Sequence, residues 1–81
     1  MGYHLNKIEK GILGEYSKIV EEYQELQDAN SQSNPILELV EISDLIGAIE
    51  SYTLKKYGIS LEQIIKMKMA TQRSFESGER K

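Results

Sequence analysis

Cysteine is absent from this chain of 81 residues, so no disulfide can staple the fold and no thiolate can hold a metal. A single histidine, His4, excludes a zinc site built from the usual nitrogen and sulfur ligands. No apolar run approaches the roughly 18 residues of a membrane span. The stretch Met1-Gly2-Tyr3-His4-Leu5-Asn6-Lys7 lacks the apolar core of a secretory signal. Asn6 stands where a myristoylation signal needs Ser or Thr. The expected setting is therefore the cytoplasm, with no membrane contact. The net charge is -3 with both signs mixed, which lacks the basic stripe of a protein that binds nucleic-acid polymers.

A chain this short makes one domain, residues 1–81, with a marginal core. Without disulfide or thiolate staples, self-association is the expected remedy. Periodicity makes the fold all-α. Ile8, Ile12, Tyr16, Ile19, Tyr23 and Leu26 recur at spacings of three and four, predicting a first helix over about 5–29. Gly11 and Gly14 weaken it by up to about 1 kcal/mol each, or else permit a close contact. Asn30-Ser31-Gln32-Ser33-Asn34-Pro35 breaks the pattern. Asn34 suits an N-cap and Pro35 the first helical position, so a second helix runs over about 35–57. Ile42, Leu45, Ile46, Ile49 and Tyr52 form its apolar face. The short link favours an antiparallel hairpin. Gly58 ends the second helix, and Ser60 with Gln63 forms a capping box for a third, over about 61–77. Leu61, Ile64, Ile65, Met69 and Phe75 are its inward candidates.

What is abundant is acid at a three-residue spacing. Glu22 and Glu25 lie on the first helix, Glu41 and Asp44 on the second. At 100° per residue, each pair flanks its apolar face on the same angular side. In an antiparallel hairpin, equal offsets fall on one face, and Glu22 comes opposite Glu41. Four carboxylates so placed would repel without a cation. A hard divalent ion, magnesium or manganese, answers that chemistry. By the same phase, Glu21 faces solvent. Glu38 points into the apolar arc as a further ligand, an orienting group or a lysine's partner. Tyr52, on the edge of the Glu41 face, would pack in the core or stack on a base.

The pattern resembles a known family. Glu21-Glu22-Tyr23-Gln24-Glu25-Leu26, then Glu41-Ile42-Ser43-Asp44-Leu45, is similar to the acidic motifs of the MazG-type all-α nucleotide pyrophosphohydrolases. Asp44-Leu45-Ile46-Gly47-Ala48-Ile49-Glu50 resembles their second helix. Lys68-x-x-Thr71-x-x-Ser74-Phe75-x-x-Gly78-x-Arg80 resembles their closing segment. The resemblance implies hydrolysis of a nucleoside triphosphate, or a related nucleotide, to the monophosphate and pyrophosphate with magnesium. It implies Glu22, Glu25, Glu41 and Asp44 as metal ligands, with Glu22 or Glu25 taking a proton from water. It also implies a homodimer or homotetramer built as a four-helix bundle. Lys18, Lys66, Lys68 and Arg73 are candidates for the phosphate tail, each with the plainer alternative of a solvated charge. The short chain and the lack of tryptophan leave little provision for a base pocket. The competing readings are a non-catalytic helical interaction module and a nucleotide sensor without turnover.

Overall fold

The structure is a computed structural model that describes residues 4–77, with side chains to residue 73. Its elements are three helices: α1 (Tyr16–Ser31), α2 (Pro35–Tyr57) and α3 (Leu61–Ser77). Among the described residues there is no strand. Among the described residues, no helix is long and apolar enough to cross a membrane.

The hairpin turn follows from its caps. Ser33 takes the left-handed position at φ 53. Its N–H donates to the Asn30 carbonyl and the Asn34 N–H to the Ala29 carbonyl, a Schellman ending normally given to glycine. Asn34 then accepts from the Leu37 N–H at 3.1 Å, with Pro35 opening α2. Only Gln32, Ser33 and Asn34 separate the helices, so α2 runs back along α1. Gly58, at φ 68, closes α2. Ser60 and Gln63 exchange the two hydrogen bonds of a capping box at the start of α3. Glu38 accepts from Asn30 Nδ2 at 3.0 Å, tying the end of α1 to the start of α2.

The first helix departs from expectation. It begins at Tyr16, not near Leu5, and runs to Ser31. Residues 4–15 instead turn and lie back over the hairpin. Glu15 N–H donates to the Ile12 carbonyl in a turn where Gly14 has φ 91, which an L side chain rarely adopts. Gly11 passes so near the Ser17 carbonyl and the Lys18 nitrogen that a Cβ there would clash with backbone. The close contact that Gly11 permits is thus between its own strand of chain and the start of α1. Ile8 and Ile12 leave the expected helical stripe, and Ile12 is exposed.

The single chain covers little of its apolar surface. Among the described residues, the buried apolar ones are Ala29, Leu37 and Ala48. Ile19, Leu26, Leu45 and Ile49 are half-buried between the helices. Tyr23, Ile42 and Ile46, expected inside, are exposed, as are Ile65 and Met69 on α3. Ile36 and Leu39 are 77% and 67% exposed. Phe75 lies outside the described side chains. Among the described residues, α3 packs against α2 and not α1. The radius of gyration is 14.8 Å, against about 12 Å for a compact chain of this length. The expected fold class, all-α with an antiparallel hairpin and a third helix, is what forms. Many of the described apolar residues still face water.

Candidate metal centre

The hairpin brings the acids together. One carboxylate oxygen from each of Glu22, Glu25, Glu41 and Asp44 lies within 4.8 Å of every other. Glu22 and Glu41 are buried, Glu25 is half-buried and Asp44 is exposed at the rim. Glu22 Oε1 and Glu41 Oε1 are buried with no hydrogen-bond partner. An orphaned buried carboxylate oxygen is costly unless something positive meets it. Four hard oxygen donors with two such orphans fit magnesium or manganese, and these four residues would hold it.

Electrostatics agree with the crowding. Burial, a hydrogen bond with Glu41 and the nearby Glu22 and Glu41 charges push Glu25 up to about 7. In the absence of a cation, a proton is thus retained among carboxylates that cannot all be charged.

Glu21 corrects the sequence reading. It is 2% exposed rather than solvated. The helical phase was sound, but the side it pointed to is covered by residues 4–15. Gly11 N–H donates to Glu21 Oε1 at 2.8 Å and Lys18 Nζ at 3.0 Å, with Lys10 Nζ 3.7 Å from Oε2. Burial alone would raise Glu21, but the Gly11 and Lys18 hydrogen bonds outweigh it and hold its carboxyl below the usual range. Glu21 is therefore the anchor of the N-terminal segment.

The basic candidates separate. Lys18 Nζ is 3.0 Å from both Glu21 and Glu22, and the two carboxylates raise its pKa. It borders the acids, with its charge already committed to them. Lys66, Lys68 and Arg73 are exposed on α3. Arg80 lies outside the described residues. Tyr52 sits edge-on to Tyr16 and Tyr57, with ring centroids 6.0 and 6.3 Å away, and takes a hydrogen bond from Lys56. Packing, not an open stacking face, is its observed role. Glu15 flanks α1 near Lys55, away from the cluster.

Two residues that sequence reading passed over complete the site. Asp28, buried, accepts from His4 Nδ1, Leu5 N, Asn6 Nδ2 and Gln32 Nε2 at 2.7–3.0 Å. Burial alone would raise its carboxyl, but the Leu5, His4, Asn6 and Gln32 hydrogen bonds outweigh it and hold the group below its ordinary range. His4 Nε2 in turn lies 3.1 Å from Glu41 Oε2 and 3.7 Å from Glu25 Oε1. A signal for Asp28 existed: it continues the register of Glu22 and Glu25 by another three residues. No local signal placed His4, because its partners are 21 to 37 residues away.

Comparison with family models, curated proteins and solved structures finds no match to this chain. The site must therefore be read from its own geometry.

That geometry includes two clefts meeting at Asp44. The wider, about 980 Å³, lies between the N-terminal segment and α2, lined by His4, Lys7, Lys10, Ile36, Val40 and Asp44 among others. The narrower, about 520 Å³, runs past Lys18, Glu22, Ser43, Gly47 and Ser51. Small-molecule pockets run to roughly 300–1,000 Å³, so the wider cleft has room for a nucleotide-sized ligand. The folded-back segment creates the space that a continuous first helix would not have had.

Proposed function

We propose that this chain is a magnesium-dependent nucleotide pyrophosphohydrolase of the MazG type, converting a nucleoside triphosphate or related nucleotide to the monophosphate and pyrophosphate. The observation that carries this reading is the convergence of Glu22, Glu25, Glu41 and Asp44 with two buried carboxylate oxygens left unpartnered. A bound divalent ion supplies charge neutralisation at phosphate oxygens and lowers the pKa of water. The protein residues do the rest. Glu22 and Glu41 are held rigid by burial. Glu25, the half-buried member of the cluster, takes the proton from the attacking water. Lys18 fixes Glu22. Lys7 and Lys10, on the wall of the wider cleft, supply positive charge toward a phosphate tail. Lys66, Lys68 and Arg73 serve the same end only if α3 closes over a cleft in an assembly.

The exposed apolar residues support assembly. Tyr16, Val20 and Tyr23 on α1, and Ile36, Leu39 and Ile46 on α2, lie at helical spacings and face outward. A homodimer or homotetramer pairing these faces would form a four-helix bundle. The same surface favours a second reading, a helical interaction module whose acids are incidental.

A panel of nucleotides, assayed for pyrophosphate release with magnesium, tests the proposal. Turnover is expected for at least one, with loss of activity in Glu41→Gln at unchanged helicity. Turnover retained in that variant would overturn the site. No turnover on any nucleotide, together with no magnesium-dependent rise in melting temperature, would favour the interaction module.

A further inference from the structure

The acidic cluster has a nitrogen beside it. We propose that His4 Nε2, Glu25 Oε1 and Glu41 Oε2 form a position for a first-row transition-metal dication, sharing Glu25 and Glu41 with the four-carboxylate position. The inference rests on reading the acids as a cation site, and adds a ligand that biases which cation is taken.

The geometry of the imidazole carries it. Asp28 is buried and accepts from four donors, one of them His4 Nδ1 at 3.0 Å. Asp28 accepts from Nδ1, which leaves Nε2 as the nitrogen that faces the other acids. It points toward Glu41 Oε2, 3.1 Å away, and Glu25 Oε1, 3.7 Å away. Nε2 and Glu41 Oε2 are at hydrogen-bond distance, so a hydrogen bridges them when no cation is bound, and a metal ion would take its place. A carboxylate that orients the far nitrogen of a ligating histidine is the recurrent support of metal sites. Asp28 is the positioning residue in that arrangement.

Distances and donor type then select the ion. Metal–ligand bonds of about 2.0–2.2 Å place neighbouring ligand atoms roughly 2.8–3.6 Å apart. The 3.1 Å edge falls within that range and the 3.7 Å edge at its limit. The orphaned Glu41 Oε1 remains for the neighbouring position. Imidazole nitrogen suits manganese, iron, cobalt, nickel and zinc, in affinity following the Irving–Williams order, whereas magnesium prefers an all-oxygen shell. The folded-back N-terminal segment would thus widen metal choice at a site that the acids alone would reserve for hard ions.

The test uses the untagged full chain, because a histidine tag would supply competing imidazoles. Manganese-loaded protein is examined by electron spin-echo envelope modulation. His4 is the one histidine in the sequence, so an imidazole-nitrogen coupling can come only from it. Coupling is expected in the wild type and lost in His4→Gln. By calorimetry with the metals alone, His4→Gln should weaken nickel at least tenfold and change magnesium less than threefold. Asp44→Asn should do the reverse, since Asp44 is outside the nitrogen-containing set. Absence of nitrogen coupling in the wild type overturns the inference without requiring any variant to fold. So does an equal loss of nickel and magnesium affinity in folded His4→Gln. If magnesium fails to bind the wild type while nickel binds with nitrogen coupling, the four-carboxylate reading falls and the His4 position stands.

Discussion

Glu25 offers a direct test of how crowded the acids are without a cation. Its carboxyl is pushed from an ordinary 4.5 to about 7, first by burial and then by Glu41 and Glu22. Between those values the folded chain holds a proton that the unfolded chain has released. Stability from this group is therefore fully present below about pH 4.5 and is lost as pH rises through about 7. A shift of this size corresponds to about 3 kcal/mol. For a domain of this length that is roughly 10 °C or more in melting temperature. The measurement is thermal unfolding in a chelator between pH 5 and 8.5. That window lies above the range where Asp28 and Glu21, both lowered by hydrogen bonds, lose their own contributions as pH falls. The wild type should melt progressively lower toward pH 8.5. Glu25→Gln, which mimics the protonated carboxyl, should be nearly flat and should melt above the wild type at pH 8.5. Magnesium should restore the wild type at that pH and leave the variant little changed, because the cation takes the place of the proton. Equal slopes for the two proteins, or a flat wild type, would refute the picture of four carboxylates competing for charge.

Further outcomes are expected. Gly11→Ala forces a Cβ against the Ser17 carbonyl and the Lys18 nitrogen; it should cost about 2 kcal/mol or more and raise amide exchange over residues 4–15 while the hairpin stays protected. Ser33→Gly relieves a left-handed serine at φ 53 and should stabilise by up to about 1 kcal/mol in denaturant titration. Sedimentation at micromolar concentration should find a dimer or tetramer, and Leu39→Lys should shift it toward monomer.

The parts of the fold legible in the sequence are those decided within a few residues. Asn34 with Pro35 starts α2, Gly58 ends it, and Ser60 with Gln63 starts α3. Each is a capping interaction that needs no distant partner. The convergence of Glu22 and Glu25 with Glu41 and Asp44 was also legible, because helical phase and a three-residue link fix it. The start of α1 was not. Apolar spacing from Ile8 to Leu26 favours a continuous helix, and the two glycines lower its stability only modestly. What tips the balance is long-range: Asp28 gathers His4, Leu5 and Asn6, and Glu21 holds Gly11. Periodicity carries no information about such contacts. The outward placement of Tyr23, Ile42 and Ile46 was illegible for a related reason. An apolar stripe specifies that a face is to be covered, not whether the same chain covers it.

The adjacent Glu21 and Glu22 show how one departure reorganises the site. Consecutive helical residues diverge by about 100°, so the pair cannot serve one purpose. Glu22 turns to the carboxylate cluster. Glu21 turns to the segment that leaves the helix, where the Gly11 N–H and Lys18 hold it. Lys18 reaches both carboxylates at 3.0 Å, so anchoring the segment and placing Glu22 are mechanically one act. Asp28 does the equivalent two turns later, fastening the other end of the segment and aiming His4 at Glu41. A chain that had kept residues 5–15 helical would retain the four carboxylates. It would lack the wider cleft beside them, the nitrogen facing them and the cover over Glu21. The acids on the hairpin supply the charge of the site, and the residues that refuse the helix shape the cleft beside it.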